Sequence, residues 1–241
     1  MDSVLDVKPI IYGVLSSTSM IDFEGYLSKV FFTAGCNFRC GFCHNGEMIH
    51  AAEGHLQWDE IAGLLDRAKE EWVDGVVITG GEPTIHKNLP EVISWFKEQG
   101  FSVKLDTNGS LPHRLEKVID MVDYVAMDYK ASRASYSILA GVDINTDAVT
   151  ESIGLLQKRA CGKYEIRTTV VRPLHDEKEM RKIAEELEGT EKYILQPFVP
   201  QESLYDPSFS QLERTDAGYL EKMREIVHPH IPHTYIRGVG Q

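Results

Sequence analysis

The chain has 241 residues and only four cysteines, Cys36, Cys40, Cys43 and Cys161. So few thiols exclude a disulfide-stapled scaffold, and three of the four crowd into eight residues, which points to metal. They also leave no room for a second four-cysteine cluster. No apolar run approaches the ~20 residues that a membrane span needs. The N-terminal stretch "MDSVLDVKPIIYGV" has no basic n-region, so it does not read as a signal peptide. These absences together point to a cytoplasmic protein without a membrane partner. Bases are outnumbered 25 to 37, for a net charge of −12, and no Lys/Arg cluster stands out. A phosphate backbone would be repelled, so nucleic acid is excluded as a partner. Low-complexity runs and internal repeats are also missing.

What is present is ordinary globular material, 42% hydrophobic and 26% charged. Apolar stretches of strand length recur at 29–34, 75–80, 101–107, 124–129, 164–171 and 192–198. Between them, 56–72, 88–100, 114–121, 147–160 and 176–189 carry apolar residues at three- and four-residue spacing, and a last helix is expected over roughly 210–227. Such alternation predicts an α/β fold with a parallel sheet. Six units fall short of the eight of a closed barrel, so the expected architecture is a partial (β/α)6 TIM-like barrel, open on one side. The chain is expected to form a single domain. Residues 1–28 make an N-terminal hairpin or arm, 29–200 the six units, and 201–241 a C-terminal helix and tail, where "HTYIRGVGQ" is a candidate edge strand.

In parallel βα architectures ligands bind at the carboxyl ends of strands. The segments there are "AGCNFRCGFCHN", "TGGEPT", "DTNG" and "MDYK". The first admits three readings. Cys40-Gly-Phe-Cys43-His44 spells the C-x-x-C-H of covalent haem attachment, although such haem belongs to exported proteins. Cys36, Cys40, Cys43 and His44 would make a Cys₃His zinc site, with His44 poorly placed beside Cys43. Three thiolates alone would hold an iron–sulfur cluster with one iron lacking a protein ligand.

Cys36-x3-Cys40-x2-Cys43, with aromatic Phe42 before the third cysteine, resembles the cluster motif of the radical S-adenosylmethionine (SAM) superfamily. Gly80-Gly81-Glu82-Pro83 resembles that superfamily's second motif at the expected place. "FTAGCNFRCGFCHN", "ITGGEPT", "DTNG" and "AMDYK" are most similar to the activating enzymes of glycyl radical enzymes, with the anaerobic ribonucleotide reductase activators the nearest type. The resemblance spans roughly residues 25–240. It implies a [4Fe–4S] cluster on Cys36, Cys40 and Cys43 whose fourth iron is chelated by SAM. One electron then cleaves the sulfonium to methionine and a 5′-deoxyadenosyl radical, and that radical takes a hydrogen from a glycine of a partner glycyl radical enzyme. A flavodoxin or ferredoxin is the implied electron donor.

The resemblance also distributes roles. Gly81 gives the backbone close approach to the ligand, Glu82 accepts from the SAM ammonium, and Phe42 lies near the adenine. Asp106, Thr107 and Asn108 offer polar groups to ribose or carboxylate, with room for a monovalent cation near Asp106, Thr107 and Asp128. Strand alternation puts Asp128 and Lys130 on one face, Lys130 toward the SAM carboxylate. Arg167 lies inside an apolar strand and needs an anion, either SAM or Asp128. His44 and Asn45 take supporting positions. His86, His175, His228, His230 and His233 lack metal spacing and read as surface residues, and Cys161 as a half-buried small residue. The alternative function is a compact small-molecule radical SAM enzyme of the deazapurine synthase type, using Arg167, Thr169 and Gln196. An iron–sulfur electron carrier is the remote one.

Overall fold

A strand buried on both faces must be apolar throughout, and a parallel neighbour needs a long crossover. "GVVITG" at 75–80 meets the first condition and the helix before it meets the second. In the computed structural model, which describes residues 5–160 and 162–239, these stretches form β3 (Gly75–Gly80) and α1 (Trp58–Glu70). Cys161 lies outside the described residues.

The chain packs as two compact units. The first takes the chain up to Asn37, Glu47–Thr107 and His113–Val125; the second takes Phe38–Gly46, Asn108–Pro112 and the chain from Ala126 on. In the first, β1 (Ile11–Val14) runs antiparallel to β2 (Ser28–Thr33), with a bulge between Ile11 and Gly13. Parallel pairing carries on through β3 to β4 (Ser102–Thr107), in the registers Val30↔Val77 and Ile78↔Leu105. Helix α1 lays Ile61, Leu65 and Ala68 on the core at three- and four-residue spacing. Its first turn is held by the Glu60 carboxylate, which accepts from the Gln57 N–H at 2.7 Å. Helix α2 (Leu89–Glu98) sets Phe96 against Phe31, ring centroids 5.1 Å apart. Helix α3 (Pro112–Val118) precedes β5 (Tyr124–Asp128).

In the second unit β6 (Tyr164–Val170), β7 (Tyr193–Pro197) and β8 (Thr234–Ile236) pair in parallel. β8 falls in the stretch read as an edge strand. The end of β5 meets β6 through the Tyr129 N–H, which donates to the Arg167 carbonyl at 2.8 Å. Helices α4 (Tyr136–Ala140), α5 (Thr146–Arg159), α6 (Glu177–Glu186) and α7 (Ala217–Val227) make the crossovers. The last three start at side-chain caps: Asn145, Asp176 and Asp216 each accept a first-turn N–H. Within each unit strand order follows chain order, and the fold class is α/β with an open parallel-strand sheet. No helix among the described residues is long and apolar enough to cross a membrane.

Candidate active site

In the first unit, the strand exits are clamped to one another by backbone. β2 leads through Ala34 and Gly35 to Cys36. The Gly35 N–H donates to the Met48 carbonyl at 2.8 Å, and the Gly35 carbonyl accepts from the Glu82 N–H at 2.8 Å. His86 Nε2 donates to the Ala34 carbonyl at 2.7 Å. The two glycines of Gly-Gly-Glu-Pro have distinct causes. Gly80 sits at φ 110°, where a side chain is strained, and a Cβ on Gly81 would lie 1.8 Å from the Gly35 oxygen. This segment therefore grips the peptide group immediately before the first cysteine.

Glu82 is no solvated acid: it is 1% exposed. Its Oε1 accepts from the Thr84 N–H (3.0 Å), the Thr84 hydroxyl (2.5 Å) and the Thr107 hydroxyl (2.6 Å). One carboxylate thus caps the 3₁₀ turn Pro83–Ile85 and ties it to the end of β4. Asp106 is held by Lys104 Nζ at 2.7 Å and by the Thr79 hydroxyl at 3.4 Å. Sequence reasoning missed Lys104, which is only 2% exposed. The signal was there, because a lysine two residues before an aspartate in an apolar strand must share its face.

The second unit holds the rest of the cysteine loop, Phe38–Gly46. The Cys43 N–H closes a turn on the Cys40 carbonyl at 3.1 Å. Both thiols are free of disulfides, as is Cys36. Burial pushes the Cys40 thiol up to about 11, against the pull of the Lys130 ammonium, and burial likewise raises Cys43. Phe42 is buried, with its ring 6.1 Å from that of Phe209. His44 Nε2 donates to the Val199 carbonyl at 2.9 Å. Asn108 is buried and its Oδ1 accepts from the Ser110 N–H (3.0 Å) and hydroxyl (2.6 Å), an Asx turn.

The end of β5 gathers the charges that alternation predicts. Asp128 Oδ1 accepts from Arg167 Nε at 2.8 Å, and Oδ2 accepts from Lys130 Nζ at 2.9 Å. Burial alone would raise the Asp128 pKa, but the two cations outweigh it and hold the carboxyl well below the usual carboxylate range. Lys130 is held above its ordinary value: burial lowers it, and Asp128 more than compensates. Of the two partners considered for Arg167, the structure supplies Asp128.

His175 corrects the surface reading of the histidines. It is fully buried, and burial lowers its pKa. Its Nδ1 accepts from the Val171 N–H at 3.0 Å and its Nε2 donates to the Lys130 carbonyl at 2.9 Å. The ring therefore braces the peptide that carries Lys130. His86 is partly buried as well, while His228 and His233 are exposed.

The donor chemistry suits a cubane cluster. Burial keeps such a thiol protonated, against the pull of the ammonium, unless a metal cation replaces the proton. Among the described residues, no group of three or more His, Cys, Asp or Glu could hold a single metal ion.

The profile of the Radical SAM superfamily matches residues 30–187. A protein of Methanocaldococcus jannaschii described as a glycyl-radical enzyme activating enzyme is 31% identical over 242 residues, covering 97% of this chain and 98% of its own. The pyruvate formate-lyase-activating enzyme of Clostridium pasteurianum is 31% identical over 227 residues, 88% of this chain and 88% of its own. A solved domain of pyruvate-formate lyase-activating enzyme from Bacteroides vulgatus matches with a TM-score of 0.54 at 17% identity, covering 68% of this chain and 99% of that one. At that identity the likeness concerns the fold, the partial (β/α)6 barrel anticipated from the strand count. The full-length relatives carry the finer assignment: this chain belongs to the radical SAM superfamily, among the glycyl-radical enzyme activating enzymes.

Proposed function

We propose that this enzyme, acting as a single radical SAM domain, binds a [4Fe–4S] cluster through Cys36, Cys40 and Cys43 and uses SAM to oxidise a glycine of a partner glycyl radical enzyme. Anaerobic ribonucleotide reductase is the favoured partner, because the local sequences around the cysteines and "DTNG" are nearest that type. A flavodoxin or ferredoxin supplies the electron. When bound, the cluster and SAM provide one electron and a primary carbon radical, so that methionine and 5′-deoxyadenosine leave and the glycine Cα keeps the unpaired electron.

The observation that carries this reading is the separate bracing of the cysteine loop and the strand ends. Gly81 and Glu82 fix the peptide before Cys36, and the Cys40–Cys43 turn is closed on itself. In the cofactor roles, the three cysteines are the iron ligands, and Lys130 and Arg167 face the SAM carboxylate while Asp128 balances them. Glu82 and Thr107 serve the ammonium, Asp106 and Asn108 the ribose, and Phe42 packs near the adenine with Gly81 allowing close approach. A monovalent cation is a weaker part of the scheme, since Asp106 and Asp128 already face ammonium or guanidinium partners.

The test is anaerobic reconstitution followed by electron paramagnetic resonance (EPR) with dithionite, SAM and a candidate glycyl radical protein. Expected are a [4Fe–4S]⁺ signal lost in each of Cys36→Ala, Cys40→Ala and Cys43→Ala but kept in Cys161→Ala, then a doublet on the partner with matching 5′-deoxyadenosine. An intact cluster in Cys40→Ala sinks the ligand assignment. 5′-Deoxyadenosine without a partner radical would redirect the search to small molecules.

A further inference from the structure

The cysteine turn is covered by a segment to which the family motifs assign nothing. After β7 the chain runs through Val199 to a 3₁₀ helix, Pro207–Gln211, capped by Asp206, whose Oδ1 accepts from the Ser208 N–H at 2.9 Å. Two successive peptide groups of this segment donate into the loop: Tyr205 N–H to the Cys43 carbonyl at 3.1 Å and Asp206 N–H to the Gly41 carbonyl at 3.0 Å. His44 adds a third tie, to Val199.

Phe209 completes the cover. Its ring stands 6.1 Å from Phe42 and 6.4 Å from Phe198. A Cβ placed on Gly41 would lie 2.5 Å from Phe209 Cε2 and 3.2 Å from Asp206 Cβ. A side chain at position 41 would therefore have to displace the aromatic ring above it. On its other flank the loop is gripped as tightly. The Arg39 N–H donates to the Ala140 carbonyl at 2.7 Å, and a Cβ on Gly141 would meet the Arg39 oxygen at 2.1 Å.

Resting on the cluster reading above, we propose that Phe209 is a positioning residue: its ring and the Tyr205–Asp206 peptides strap the Cys40–Cys43 turn and keep water and dissolved oxidant from its sulfurs. An apolar cover of this kind controls solvent access and local dielectric, and so the lifetime and potential of a cluster beneath it. Removing the ring admits water, which stabilises the more negative reduced cluster and moves its midpoint to a more positive potential.

The test uses the full chain, reconstituted anaerobically, in wild type, Phe209→Ala, Phe209→Leu, Gly41→Ala and the double variant Gly41→Ala/Phe209→Ala. The readouts are iron content, visible bleaching in air-saturated buffer, and midpoint potential. Phe209→Ala is expected to load its cluster, bleach roughly tenfold faster and show the more positive midpoint, with Phe209→Leu close to wild type. Gly41→Ala should bleach fast as well, while the double variant is no worse than Phe209→Ala, because the smaller residue makes room for the new methyl. If Phe209→Ala fails to load, Gly41→Ala decides: fast bleaching supports the strap, and wild-type bleaching overturns it. Wild-type bleaching and potential in Phe209→Ala, or simple addition of the two defects, overturns the strap. A wild-type protein that loads no cluster at all overturns the cluster reading itself, and the strap with it, so the two failures are distinguishable.

Discussion

Gly81→Ala isolates what Gly-Gly-Glu-Pro does before any ligand binds. The new Cβ would stand 1.8 Å from the Gly35 carbonyl oxygen, where real Cβ contacts essentially never fall under 3.0 Å, so one backbone must retreat by about 1.2 Å. That oxygen accepts from the Glu82 N–H at 2.8 Å, and the Gly35 N–H donates to Met48 at 2.8 Å, so both bonds stretch together. A buried bond left unmade costs about 1–3 kcal/mol, and forcing an extra methyl into a packed site about as much again. The sum expected is about 3 kcal/mol, or about two decades in the folding equilibrium. Urea unfolding of the anaerobic apoprotein measures it without any cofactor. Gly63→Ala is the control: it lies in α1 with nothing nearer than Arg67 Nη1 at 4.0 Å. Helix propensity predicts a gain there of about 0.5–1 kcal/mol. A Gly81→Ala apoprotein as stable as wild type would refute the clamp and leave the glycine to the ligand alone.

Two further predictions concern charges held inside the sheet. Asp128→Asn leaves Arg167 and Lys130 largely buried without their counter-ion and should cost about 2–3 kcal/mol, toward the low end for a broken buried pair because Asp128 is 31% exposed. Its folded pKa lies below the unfolded value of about 3.9. The stabilisation is therefore complete above that pH and is lost as the pH falls through the folded pKa. Urea midpoints should show a wild-type-to-variant gap that is constant above about pH 5 and closes below about pH 4; a gap independent of pH refutes the pairing. Arg237→Met should cost about 3 kcal/mol, since Glu165, 2% exposed, loses a two-pronged partner at 2.7 and 2.9 Å and keeps Lys192 at 3.6 Å. Adding Glu165→Met should recover most of that loss, and no recovery in unfolding experiments would show that Arg237 acts by packing instead.

The strands were legible because burial on two faces leaves a mark on composition. β3 occupies the same six residues that "GVVITG" marked out, bounded by its own glycines. Helix ends were less legible where capping overrode apolar periodicity. The helix expected over roughly 210–227 begins only at Ala217, because Asp206 caps one 3₁₀ turn and Asp216 caps α7 separately. α4 was missed altogether: five residues ended by Gly141 in the left-handed region make too little of a period to read. Within the site, period-two alternation brought Asp128 and Lys130 together as expected. His175 could not be read the same way. Its ring partners are the backbone groups of Val171 and Lys130, the second 45 positions away, and no side-chain pattern records a bond to a peptide.

The charge count describes the whole chain and not its interior. A net charge of −12 argues against a phosphate-backbone partner for the chain as a whole, yet the interior sorts its charges differently. Asp106 takes Lys104, Asp128 takes Arg167 and Lys130, and Glu165 takes Arg237 and Lys192. Three carboxylates thus meet five cations, the reverse of the balance over the whole sequence. The surplus acid sits elsewhere, in exposed helical positions such as Asp59, Glu60, Asp66, Glu70, Glu91 and Glu98. Each buried charge needed its partner for folding alone, because an ion without one in the interior is expensive.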